Sequence, residues 1–258
     1  MGYPLRDGLF MAAYYITNAV YQGYITLYFK HAGMNEAQRG ALIAAVSLVA
    51  VFAQPFWGTV GDRSKSRART IRLQCLGAAV SVLLFPLAGS QFGILLAFTC
   101  AFSAFYTSIQ PMGDSVILES MQQRDQPFGP IRWCGCVSFA VASMRFGYLL
   151  DGGGRERWIL WFTAGLLAAT CLSTWTLPQT GGAQKAGSKL SMLTLLKNRE
   201  LMLLIALTMP LQLTMGYFYG FFSTHFTSLP GGSESLLGWW YLISALSETP
   251  FLLFSDKF

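Results

Sequence analysis

The sequence predicts an all-α, polytopic membrane protein, and three observations carry that prediction. Of its 258 residues, 53% are hydrophobic and only 12% are charged, against about 25% charged in ordinary soluble domains. Eight apolar runs approach or exceed the roughly 20 residues that cross hydrocarbon as a helix. The basic residues gather in alternate loops between those runs. A chain this apolar has too little polar surface to cover a water-soluble core, so lipid is its solvent. The formal net charge of +6 is then a topological signal and not a nucleic-acid footprint.

The runs cover 9–29, 40–60, 73–89, 93–121, 127–150, 158–177, 201–229 and 235–254. The first is a retained helix, because it is too long for a signal-peptide core and no small-x-small cleavage site follows it. Arg6 also occupies the Ser/Thr position that N-myristoylation of Gly2 would need. Along this run Tyr14, Asn18, Tyr21 and Gln22 recur on one face, either as a cavity lining or as interhelical hydrogen-bonding groups. The second run ends in Gln54-Pro55 … Gly58 … Asp62-Arg63, and Lys65, Arg67, Arg69 and Arg72 follow before the third. An apolar run stopped by a basic cluster marks a helix meeting the cytoplasm.

The fourth run contains Pro111-Met112-Gly113-Asp114. A carboxylate inside an apolar run must face a cavity, pair with a cation or stay protonated. The fifth opens at Asp125-Gln126-Pro127, read as an N-cap with proline in the first turn, which puts Arg132 more than one turn inside. In an antiparallel hairpin Asp114 and Arg132 then reach similar depths. Arg132, Cys136, Phe139 and Ser143 share one helical face by their spacing. Arg145, near the outer end of this run, is expected to snorkel outward near Asp151. The sixth and seventh runs flank 178–200, where Gly181, Gly182 and Gly187 precede a short amphipathic piece, 190–196. That stretch reads as a linker lying along the membrane surface. The eighth run carries Glu248, a candidate proton site.

Domains are therefore expected at 1–177 (six helices), 178–200 (cytoplasmic linker) and 201–258 (two helices of a second bundle). With the N-terminus inside, the inner segments hold Arg6, the Arg63–Arg72 cluster, Arg124, Arg132, Lys185, Lys189, Lys197, Arg199 and Lys257, whereas the outer ones hold only Lys30, Arg39, Arg155 and Arg157. The imbalance places the N-terminus in the cytoplasm. The second and eighth runs also match internally: Pro55-Phe56 … Asp62-Arg63 parallels Pro250-Phe251 … Asp256-Lys257, as parallel repeated halves would.

Gly58 with Asp62 four residues on, then Arg63 and Arg67, resembles the loop signature of the major facilitator superfamily, with Ser66 where that signature has glycine. Pro111-x-x-Asp114, Arg132 and Gly135 to Phe139 resemble the lactose permease and phenylpropionate permease-like groups within it. The resemblance implies a twelve-helix bundle of which about eight helices are present, so the sequence reads as a fragment or truncated product. It implies a substrate site built on Asp114, Arg132 and Phe139, with Asn18 and Gln22 beside them. It also implies a gate at Gly58, Asp62, Arg63 and Arg67, with Gly58 allowing close helix approach. Asp114 and Phe139 depart from the glutamate and tryptophan of lactose permease, which weakens the case for sugar.

The expected function is secondary active transport of a small organic solute (sugar, nucleoside or aromatic acid) by alternating access, with protons as the coupling ion. The expected setting is a monomer in the bacterial inner membrane. The alternative is a non-transporting sensor or an inactive truncated paralogue. No nucleophile–base pair, zinc-protease motif or phosphate loop points to an enzyme. Cys75, Cys100, Cys134, Cys136 and Cys171 fall in or beside apolar runs as reduced packing residues, and His31 and His225 lack partners at metal spacing, so no metal or cofactor is expected.

Overall fold

The computed structural model describes residues 3–178 and 198–249. Its helices in chain order are α1 Tyr3–His31, α2 Glu36–Arg63, α3 Arg67–Leu83, α4 Phe92–Tyr106, α5 Ile109–Gln122, α6 Gly129–Leu150, α7 Trp158–Ser173, α8 Arg199–Ser228 and α9 Glu234–Ser247. Single 3₁₀ turns, Phe85–Ala88 and Thr174–Thr176, prolong α3 and α7. Helices α4 and α5 together make the fourth predicted span, so each of the eight runs is largely helical over its described residues. Most of the predicted linker, the piece 190–196 and the Pro250 to Lys257 half of the internal match lie outside the described residues.

Among the described residues, six segments are long and apolar enough to cross a membrane, and α1 and α9 are not among them. Helix α1 misses on composition, since it carries Asn18, Gln22 and several tyrosines and threonines. It runs through the middle of the bundle, with Phe10, Tyr14, Ala19, Tyr24 and Phe29 each at most 4% exposed. A helix wrapped in protein tolerates polar groups that a lipid-facing one does not. The lipid-facing surfaces instead show the apolar residues expected there, such as Leu48, Val51, Phe52 and Phe56 on α2. Helix α9 misses on length, with 14 residues described.

Three boundaries differ from the sequence expectation. The basic cluster is not a loop. Helix α2 runs on to Arg63 and α3 already starts at Arg67, so only Ser64 to Ser66 connect them. Asp125 is not the N-cap of the fifth span. It takes a left-handed conformation (φ 52°) in the turn after α5, and Phe128 caps α6. Arg132 consequently closes the first turn of α6 and does not lie beyond it. The fourth span is broken at Thr107-Ser108, and Pro111 explains the break. A proline four residues on has no N–H for the Thr107 carbonyl, and the Gln54 Nε2 amide donates to that carbonyl instead, at 3.2 Å.

Elsewhere the sequence caps its helices in familiar ways. Asn35 and Gln38 form a reciprocal capping box at the start of α2, and Ser233 accepts from the Leu236 N–H at the start of α9. Packing is densest along two lines. Helix α1 lies against α6 and α7, and α9 lies along α6 more extensively than any other pair meets. At the α6–α9 crossing a Cβ on Gly147 would collide with the Glu234 carbonyl, and one on Gly238 would stand 2.8 Å from the Ser143 carbonyl oxygen. Only glycine at both positions lets the two backbones touch. The Tyr24 hydroxyl donates to the Ser143 carbonyl at 2.8 Å, tying α1 to the same place. Among the described residues, helix α8 packs on the rest through its C-terminal half, where Thr26 and Ser223 share a 2.5 Å hydrogen bond. Its residues 202–217 are all exposed.

Candidate substrate site

The antiparallel pair α5–α6 brings Asp114 and Arg132 together as the spacing predicts. Arg132 Nη1 lies 3.4 Å from Asp114 Oδ2, with about a third of each side chain exposed (30% and 32%). Charge-assisted N–H···O bonds run at about 2.7–2.9 Å, so this contact is slack. The other carboxylate oxygen, Asp114 Oδ1, is buried with no hydrogen-bond partner among the described residues.

A cleft opens beside this pair. One lobe, about 460 Å3, lies between α1, α5, α6, α8 and α9 and is lined by Tyr15, Arg132, Phe139, Gln212, Tyr241 and Glu248, among others. A second, about 300 Å3, lies between α1, α2, α4, α5 and α8 and is lined by Tyr14, Gln54 and Tyr106, among others. Asn18, Gln22, Gln110, Gly216 and Tyr219 line both, so the two lobes are continuous. The lining mixes amides, phenols, one cation and the Glu248 carboxylate, which suits a neutral or hydroxylated guest with an apolar face.

Each predicted binding residue has a definite place. Arg132, Phe139, Asn18 and Gln22 line the cleft, and Asp114 stands behind Arg132. Phe139 is edge-on to Tyr241 (centroids 6.2 Å apart, 83° between planes), which turns part of its surface inward against protein. Asn18 Oδ1 accepts from the Tyr106 hydroxyl at 3.1 Å. Glu248 is exposed, at the C-cap of α9 and on the cleft wall. Ser143, placed by spacing on the same face as Arg132, is fully buried instead, at the Tyr24 contact. Arg145 is exposed and has no ion pair with Asp151 among the described residues.

At the α2–α3 connection, Arg67 Nη2 donates to Asp62 Oδ1 at 3.1 Å and Nη1 to Glu119 Oε2 at 2.8 Å. Arg63 is exposed. A Cβ on Gly58 would meet nothing within 4 Å among the described residues. The close approach lies one turn on, where a Cβ on Gly61 would sit 2.8 Å from Met112 Cε. His31, read as ordinary, pairs loosely with Glu156 at the outer end (3.5 Å).

Sequence reasoning missed Tyr15, Gln110, Gln212 and Tyr219 in the cleft and Glu119 beside Arg67. Spacing held a signal for some of them. Tyr15, Asn18 and Gln22 follow the three-then-four step of one helix face, and Gln110 lies four residues before Asp114.

The sequence model of the MFS_1 like family matches residues 9–258. The chain belongs to the MFS_1-like family. Among curated relatives of this MFS_1-like chain, the maltose permease of Geobacillus stearothermophilus is 28% identical over 228 residues, covering 88% of this chain and 57% of the permease. The uncharacterized transporter YwbF of Bacillus subtilis (strain 168) is 23% identical over 260 residues, covering 99% of this chain and 64% of its own length. The chain thus spans about three-fifths of the length of these relatives. Among solved structures, the nucleoside transporter NupG matches with a TM-score of 0.76 at 20% identity, covering all of this chain and 67% of NupG. A single-residue variant of NupG matches at 0.79. These two share the fold: an all-α major facilitator bundle. The MFS_1-like chain is accordingly a multi-pass membrane protein of a transporter family and not an enzyme.

Proposed function

We propose that this chain forms the substrate-facing part of a secondary active transporter that carries a small, hydroxylated solute, a sugar or a nucleoside, by alternating access. The observation that carries the reading is the slack Asp114–Arg132 pair, whose arginine lies on the wall of an amide- and phenol-lined cleft. A pair held only for packing would be short and sealed, whereas this one is long and has open space beside the cation. An aromatic acid is the weaker guest, because a carboxylate would compete with Asp114 for Arg132. The relatives named for maltose and nucleosides support the same substrate class. Glu248, on the wall formed by α9, is the residue we assign to proton exchange. Arg67, held between Asp62 and Glu119, is assigned to the cytoplasmic gate. The charge asymmetry of the loops supports an N-terminus in the cytoplasm, and a monomer in the bacterial inner membrane is the setting we assign to it.

The test is uptake in right-side-out and everted vesicles carrying the full-length protein. Labelled maltose, uridine and phenylpropionate are offered with and without a proton gradient. Gradient-driven uptake of maltose or uridine, lost in Arg132→Ala, is expected. Binding of either probe without uptake would fit a sensor and sink the transport reading.

A further inference from the structure

We propose that Tyr15 is the positioning residue for Arg132: its ring face, seated over Gly135, holds the guanidinium in the orientation that solute binding requires. The inference rests on the reading of Arg132 as a substrate residue.

A guanidinium carries five donors in a rigid fork, and the single slack contact with Asp114 cannot fix the plane of that fork. The ring of Tyr15 can. Arg132 Cζ lies 5.0 Å above its centroid, within the range of a cation–π contact. The ring is itself held from three sides. Its hydroxyl accepts from Gln110 Nε2 at 3.1 Å, and Tyr14 meets it edge-on with centroids 5.8 Å apart. On the third side it covers Gly135, where a Cβ would lie 2.8 Å from Tyr15 Cδ2. Gly135 shares α6 with Arg132, nearly one turn further along. Any side chain there would lift the ring off its seat and out from beneath the cation. So α1 supplies the platform, α5 anchors its rim, and α6 supplies both the cation and the gap that admits the ring. Tyr15 is 7% exposed yet lines the cleft, as a support behind a binding group would.

Simple core packing of Tyr15 is the competing explanation, and the two differ in what Phe and Leu do. The full-length protein in membrane vesicles is treated with phenylglyoxal, and modification of the Arg132 peptide is followed by mass spectrometry. Tyr15→Phe keeps the ring face and should leave the rate within about twofold. Tyr15→Leu removes it and should speed modification roughly three- to thirtyfold, the range of a cation–π contact. Gly135→Ala should act like Tyr15→Leu with Tyr15 intact. The apparent Kd for labelled maltose or uridine, whichever the wild type binds, should rise by the same factor in Tyr15→Leu and recover in Tyr15→Phe. An unchanged Arg132 rate in Tyr15→Leu overturns the proposal, as does a Phe variant as perturbed as the Leu one. Should Tyr15→Leu not accumulate in the membrane, Tyr15→Ile runs the same comparison. The labelling needs no solute, so its outcome is separate from success or failure of the transport reading.

Discussion

Replacing Arg67 by alanine tests the ion network at the α2–α3 connection most directly. The Arg67 side chain is 8% exposed, while its partners Asp62 and Glu119 are 47% and 36% exposed. Removing one partner of a fully buried pair costs about 3–5 kcal/mol, and of a fully exposed pair about 0–1 kcal/mol. Here the cation is buried but the acids are partly wet, so water takes up much of their charge once Arg67 is gone. The expected loss is about 2 kcal/mol. Two carboxylates that shared one guanidinium then face each other, so their repulsion is part of that loss. Asp62→Asn with Glu119→Gln in the Arg67→Ala background should therefore recover about half of it. Arg67→Lys, a point charge that cannot span both acids, should fall between wild type and alanine. The assay is unfolding of the purified protein in mixed micelles by rising SDS fraction, followed by circular dichroism. An Arg67→Ala midpoint within about 0.5 kcal/mol of wild type, the ordinary scatter of surface substitutions, would refute the reasoning.

Asp114→Asn and Arg132→Ala should each abolish uptake of maltose and uridine by the full-length protein while leaving its amount in the membrane unchanged; near-normal uptake in both would dismiss the site. Gly238→Ala should cost about 1–3 kcal/mol in the SDS titration, because the new methyl meets backbone of α6 that cannot move aside. Gly58→Ala, which meets open space among the described residues, should leave stability unchanged or raise it by up to about 1 kcal/mol; a gating role would show as slowed uptake without any loss of stability. Trp57→Phe should cost about 1 kcal/mol by stranding the Ala104 carbonyl, which now accepts a 2.6 Å bond from the indole.

The helices were legible because hydrocarbon imposes one simple rule on the chain, and length with apolarity states it. Their ends were less so, because end positions depend on local hydrogen bonds that composition does not record. Asp125 looks like a cap and is a turn residue, since the backbone after α5 needs a left-handed step there. The Thr107 break could have been read, because Pro111 leaves the carbonyl four residues earlier without a donor. What could not be read is that Gln54, on a different helix, would fill it. The Asp114–Arg132 contact was legible from depth alone. Tyr15 was not, although its spacing to Asn18 and Gln22 was in view, because a tyrosine in an apolar run looks the same whether it packs or supports a cation. Glu119 lay near the end of a span and became meaningful only when α3 proved to start at Arg67.

The crossing of α6 and α9 leaves no side chain between the two chains at Gly147 and Gly238. Side chains ordinarily act as bearings: they change rotamer and absorb small shifts between neighbouring rods. Two bare backbones in contact have no such play, so a tilt of one rod is handed undiminished to the other. Because Arg132 rides on α6, a tilt of α9 would be passed to the helix that carries the proposed gripping group.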